Sequence, residues 1–247
     1  MSGHSKWSTI KRKKSAEDAK RGKIFTRVAR ELTLAAREGG GDPDTNPSLR
    51  LAIDKARAAN MPKDNIERAI KRGTGELEGG QLEEICYEGY APHGVALLVK
   101  CLTDNRNRTL SEVRRVFNRS GGSLAEAGAV AWMFDTKGYL TVARDDLDPD
   151  DIFMMAIDAG AEDIEVSDEF VEVYTLPGDL HMVREGLIGS GLTVEDAELS
   201  QVPKTLMTLD EKETLQIMNM IETLEELDDV QEVYSNLDIS EEILAAV

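Results

Sequence analysis

Cysteine is nearly absent from this chain of 247 residues, which carries only Cys86 and Cys101, placed by the surrounding pattern on adjacent strands. Two thiols build neither a disulfide framework nor a zinc site, and a reducing cytoplasm is the expected compartment. Histidine is as scarce. His4, His93 and His181 lie far apart, so spacing gathers no histidine cluster for a metal. His93, in APHG, reads as a turn residue. No apolar run approaches the roughly eighteen residues that a membrane span needs, so no membrane partner is expected. Also missing is the stretch of about seven to fifteen apolar residues that follows the basic start of a secretory signal. Only Trp7 and Ile10 interrupt a polar run up to Ile24, and the Glu17–Asp18 pair is foreign to an organelle transit peptide, so export is not expected.

Signatures of catalysis are missing as well. DDLDPDD (145–151) alternates Asp146, Asp148 and Asp150 like a cation loop, but an EF-hand counted from Asp146 requires Gly and Glu where Asp151 and Ile157 stand. Carboxylates ahead of a helix N-terminus are the better reading. GLIGSG (186–191) lies at a helix end instead of between a strand and a helix, which makes it a helix stop and neither a P-loop nor a dinucleotide fingerprint. No acid–base or nucleophile constellation stands out. Catalytic residues, cofactors and metals are not expected.

Positive charge is scarce everywhere except at the start. The formal net charge is -18, yet residues 1–80 hold 18 Lys and Arg against 11 acids, while residues 81–247 hold 11 against 36. The first third is therefore near +7 and the remainder near -25. With a Debye length of about 8 Å at physiological salt, the basic end acts locally despite the acidic total.

Hydrophobic periodicity divides the chain. Helices are expected over Ser15–Arg37, with a capping-box-like Ser15/Asp18 start and a stop at Gly39–Gly41, from Asn46–Pro47 onward, and from Pro62 to Gly73. Together they form a three-helix bundle, followed by the glycine-rich linker GTGELEGGQ (73–81). Between 135 and 203 the order is strand (139–142), helix (151–159), strands (164–166 and 171–175), helix (180–187) and strand (192–199), which spells a ferredoxin-like βαββαβ unit. Around it lie a strand at 95–102, a helix at 109–117 and strands near Leu124 and over Ala129–Phe134. A helix opened by Thr208/Glu211 and a last strand at 230–237 follow. These spell a second βαββαβ interrupted by the first. The expected class is α+β, with three domains: a basic arm and helical domain (1–80), a split ferredoxin-like domain (81–134 with 204–247) and an inserted ferredoxin-like domain (135–203).

Two basic stretches point to nucleic acid. The first contains Lys6, Lys11, Arg12, Lys13, Lys14, Lys20, Arg21 and Lys23 against two acids, enough to neutralise several phosphates. Trp7 within it either stacks on a base or packs on the first helix. The second is TDNRNRTLSEVRRVFNR (103–119), which concentrates Arg106, Arg108, Arg114, Arg115 and Arg119 in a region otherwise short of cations. At about 100° per residue, Arg108, Arg115 and Arg119 form a stripe opposite Leu110, Val113, Val116 and Phe117. Asn105 or Asn107 caps this helix, and its first N–H groups suit a phosphate. An alternative for the stripe is salt bridging to Glu112, which lies between Arg108 and Arg115.

GHSKW, KRGKIF, GGGDPDTNPSLR, NMPKDNIERAIKRG, YEGYAPHGVALLV, TDNRNRT and GAVAWMF, in this order along nearly the whole chain, resemble the YebC/PmpR family. Ala129 departs from the serine common after the glycine at 128. The resemblance implies a helical N-terminal domain followed by two α/β domains. It also implies a cytoplasmic DNA-binding transcriptional regulator, with related proteins acting as translation factors on RNA at the ribosome. It supplies no catalytic residues. A body near -25 repels a long duplex and no helix-turn-helix signature is evident, which keeps the ribosomal alternative beside the transcriptional one. An enzyme is the remote third.

Overall fold

The computed structural model describes residues 18–77, 82–144, 147–167, 170–240 and 243, with side chains described from residue 22. Helices α1 (Asp18–Gly39), α2 (Pro47–Ala58) and α3 (Lys63–Gly73) pack around Val28, Leu32, Leu49, Ile53, Ala56 and Ile66. One amide organises the first corner. Asn46 Nδ2 donates to Ala35 O and Gly40 O, both at 2.8 Å, while its Oδ1 accepts from Leu49 N at 3.1 Å, so the same side chain satisfies carbonyls at the end of α1 and caps α2. Where α3 crosses α1, a Cβ on Gly73 would stand 2.4 Å from Thr33 O, so only glycine fits. Ser15 of the expected capping box lies outside the described residues.

Strands β1 (Glu83–Tyr90), β2 (Ala96–Thr103), β3 (Ser123–Leu124) and β9 (Val230–Ser235) form a sheet in the order β3-β1-β2-β9. Helices α4 (Arg106–Ser120) and α7 (Glu211–Glu225) cover it through Val113, Val116, Phe117, Ile217, Met220, Ile221 and Leu224. Cys86 and Cys101 are free thiols on the paired strands β1 and β2. Three expectations are corrected here. Strand β1, expected only as the neighbour that carries Cys86 and too polar to have entered the expected element order, precedes β2, so the elements run ββαβ and then αβ instead of βαββαβ. Ala129–Phe134 is not a strand of this sheet, because a buried carboxylate captures its amides; Ala131–Met133 is a 3-10 turn. The cap of α7 is Asp210 paired with Glu213, two residues beyond Thr208/Glu211.

Residues Phe134–Val202 form a separate compact unit. In it β4 (Phe134–Ala143), α5 (Pro149–Ala159), β5 (Asp163–Val166), β6 (Phe170–Thr175), α6 (Leu180–Gly189) and β7 (Val194–Pro203) follow one another, and the strands align as β5-β6-β4-β7. β6 pairs antiparallel with both β4 and β5. Ile152, Ala156, Val183 and Leu187 are buried from the two helices. Asp148 caps α5 by accepting from Asp150 N at 3.0 Å, the role expected for this acidic stretch, whose Asp145 and Asp146 lie outside the described residues. The other unit comprises the helices, the first sheet and a short parallel pair, β8 (Met207–Thr208) with β10 (Leu237–Asp238).

Candidate nucleic-acid interface

Helix α1 carries Lys23, Arg27 and Arg30 at helical spacing, and all three reach carbonyls at the end of α7 or just after it. Lys23 Nζ donates to Glu226 O at 3.1 Å, Arg27 Nη2 donates to Glu225 O, and Arg30 Nη1 donates to Asp228 O at 2.5 Å. Carbonyls at a helix C-terminus lack intrahelical donors and carry the negative end of the helix dipole, which explains why cations settle there.

Just beyond these carbonyls lies Asp229, 1% exposed. Arg108 Nη2 approaches its Oδ2 at 2.7 Å, and Arg30 Nη1 lies 3.0 Å from Oδ1. The hydroxyls of Thr109 and Thr103 stand 2.7 and 3.0 Å from Oδ2. Burial pushes this carboxyl upward, but the hydrogen bonds from Arg108, Thr109 and Thr103 and the charge of Arg30 outweigh it and hold the group below the usual aspartate range. Arg108 is raised in turn, chiefly by its hydrogen bonds to Asp229. A buried carboxylate with two guanidinium partners therefore ties α1 and α4 to the start of β9.

The candidate residues fare unequally. Lys6, Lys11, Arg12, Lys13 and Lys14, with Trp7, lie outside the described residues. Lys20 and Arg21 fall within α1. Lys23 is engaged internally, as above. Arg108 is held by Asp229 and by Asp104 at 3.0 Å, and not by Glu112, the partner that the alternative reading of the stripe gave it. Asn105 caps α4, accepting from Arg108 N at 3.1 Å. Arg106 is exposed, and its carbonyl accepts from Tyr87 Oη at 3.2 Å. Arg115 and Arg119 are exposed, and neither forms an ion pair among the described residues. Arg119 borders an open groove with Ser120, Lys212, Gln216 and Asn219.

A further feature escaped the sequence reading. Glu88, buried on β1, accepts from the backbone N–H of Gly128, Val130 and Ala131 at 2.6, 2.7 and 2.8 Å. Burial alone would raise its pKa; these backbone donors reverse that and lower it. The loop so pinned presents Trp132, 67% exposed, with its Nε1 donating to Ala129 O at 3.0 Å. A glutamate inside EEICYEGY was the available signal, since a buried acid in a strand demands donors. Among the described residues, no group of His, Cys, Asp and Glu is arranged to hold a metal, and no helix is long and apolar enough to cross a membrane.

A helical region with cations along its first helix, followed by sheets each covered by two helices, defines a class of protein with a helical domain joined to α/β domains. The chain belongs to the TACO1/YebC family: residues 5–76 match the model of the TACO1/YebC N-terminal domain, and residues 82–237 match that of the TACO1/YebC second and third domain. It is 52% identical to a probable transcriptional regulatory protein of Persephonella marina, over the full length of both chains. It is 55% identical to one of Trichlorobacter lovleyi, over 97% of each chain. The crystal structure of a conserved hypothetical protein from Aquifex aeolicus superposes with a TM-score of 0.86 at 47% identity, covering 92% of this chain and 94% of that one.

Proposed function

We propose that this protein is a nucleic-acid-binding regulator of gene expression, and specifically a DNA-binding transcriptional regulator, in keeping with relatives named probable transcriptional regulatory proteins. The observation that carries this reading is the asymmetry of charge: the first 80 residues are near +7 and the rest near -25, so the polyanion contacts the N-terminal third. Arg115 and Arg119, exposed and unpaired among the described residues, are the second contact. Lys23 and Arg108 leave the set of direct contacts and act by holding α1 and α4 in place.

A second reading, a factor bound to RNA at the ribosome, is favoured by the acidic remainder. Such a body disfavours lying along a duplex but tolerates a site in which only its basic end meets RNA. Co-sedimentation with ribosomes, compared with binding to random duplex DNA in the same salt, separates the two. Retention on ribosomes with weak duplex binding would replace the transcriptional reading; tight duplex binding without ribosome retention would support it.

The three-domain division (1–80, 81–134 with 204–247, and 135–203) is supported by the separate hydrophobic clusters of the helices and the first sheet and by the compact unit Phe134–Val202. For that unit, the order β5-β6-β4-β7 with two intervening helices supports a ferredoxin-like assignment.

A further inference from the structure

Helix α5 is apolar well beyond the side that it buries. Its inner side buries Ile152 and Ala156. At about 100° per residue, Phe153, Ile157 and Met154 follow one another from the flank of that side round to the face opposite it, and they are 43%, 44% and 59% exposed. The surface continues onto α6. A Cβ on Gly160, which ends α5, would lie 3.5 Å from Met182 Cε, so Met182, 58% exposed, sits against that end. A helix of a water-soluble unit normally turns a polar face outward, and apolar patches of this kind mark contact surfaces.

The charge around the patch selects its occupant. Residues 134–202 contain 18 acidic residues against three basic ones, Lys137, Arg144 and Arg184, a formal charge of -15. Asp150, Asp151 and Asp158 of α5 border the apolar residues. A nucleic acid, an anionic membrane and a second copy of the same unit would all be repelled. We infer that the outer face of α5 and α6 docks a basic amphipathic helix of a partner protein. The apolar face of that helix meets Phe153, Met154, Ile157 and Met182, and its Lys and Arg meet the flanking aspartates. Methionine side chains suit this task because they adapt their shape to the ligand.

The test uses the full chain and two synthetic peptides of equal length and equal positive charge, one an amphipathic leucine–lysine helix and the other a serine–lysine sequence without an apolar face. Titration calorimetry is expected to show one-to-one binding of the amphipathic peptide, at least tenfold tighter than the serine–lysine peptide. Met154→Ser with Ile157→Ser should abolish that preference without lowering the melting temperature. Leu199→Ser, a change of an exposed apolar residue on β7, should preserve it. Equal binding of the two peptides, or a Met154/Ile157 variant that binds as the parent does, overturns the inference. So does concentration-dependent self-association that disappears in that variant, since a second copy would then be the occupant.

Discussion

Arg108 and Arg30 close on the two oxygens of Asp229 from different helices, at 2.7 and 3.0 Å, although the three residues are scattered across the chain. Replacing Asp229 with Ala would take from both guanidinium groups and from the buried hydroxyls of Thr103 and Thr109 the acceptor that they share. The expected cost is about 1–3 kcal/mol, the range for buried groups that lose a hydrogen-bond partner. Urea denaturation of parent and variant at neutral pH measures it. A difference near zero would remove Asp229 from the forces holding α1 to the sheet.

The same carboxylate sets a pH dependence. Its folded pKa is depressed relative to an unfolded value near about 3.9, so its stabilisation is complete above that value and lost as pH falls through the folded pKa. Glu88 behaves alike, with its own folded pKa lowered. Stability should therefore fall on acidification below about pH 5, and Asp229→Asn should flatten part of that fall. Melts across pH 3 to 7 compare the two slopes.

Glu88→Gln should loosen the loop that carries Trp132, because a neutral amide accepts less strongly than a carboxylate. Hydrogen exchange at the amides of Gly128, Val130 and Ala131 is expected to accelerate by tenfold or more, with little change in β2. Unchanged exchange would show that the loop is held by other contacts.

Changing Arg115 and Arg119 to Glu should cut nucleic-acid affinity by tenfold or more, equivalent to about 1.4 kcal/mol. Since neither side chain has an ion-pair partner among the described residues, the melting temperature should hardly move; exposed substitutions of this kind stay within about 0.5 kcal/mol. Arg108→Glu, by contrast, should lower stability first. A binding isotherm and a melt on one preparation distinguish these outcomes.

Replacing Lys11, Arg12, Lys13 and Lys14 with Ala should flatten the dependence of log K on log salt by about 3 to 4 units if each meets one duplex phosphate. An unchanged slope would locate the electrostatic contact elsewhere.

Local signals were legible wherever a residue acts on its own neighbours. Asn46 and Pro47 announced the start of α2, and the β-branched and aromatic residues of 164–166 and 171–175 announced β5 and β6, because caps and local composition operate over a few residues. Strand β1 was legible only as the neighbour carrying Cys86 and stayed out of the expected element order, because EEICYEGY lacks a clean alternation and one of its glutamates is buried for the sake of a loop some forty residues later.

Composition and helical periodicity by themselves determined the charge asymmetry, the three N-terminal helices and the arginines on one face of α4. Only the tertiary structure decided which of those arginines are available. Arg108 and Arg115 share a helical face, but folding brings Asp229 against the former alone, and a buried carboxylate holds the cation that it meets. The same holds for Lys23, whose partner is a carbonyl 203 residues away. Periodicity reports the direction in which a side chain points along its own helix; the group waiting there comes from distant chain, and only packing places it.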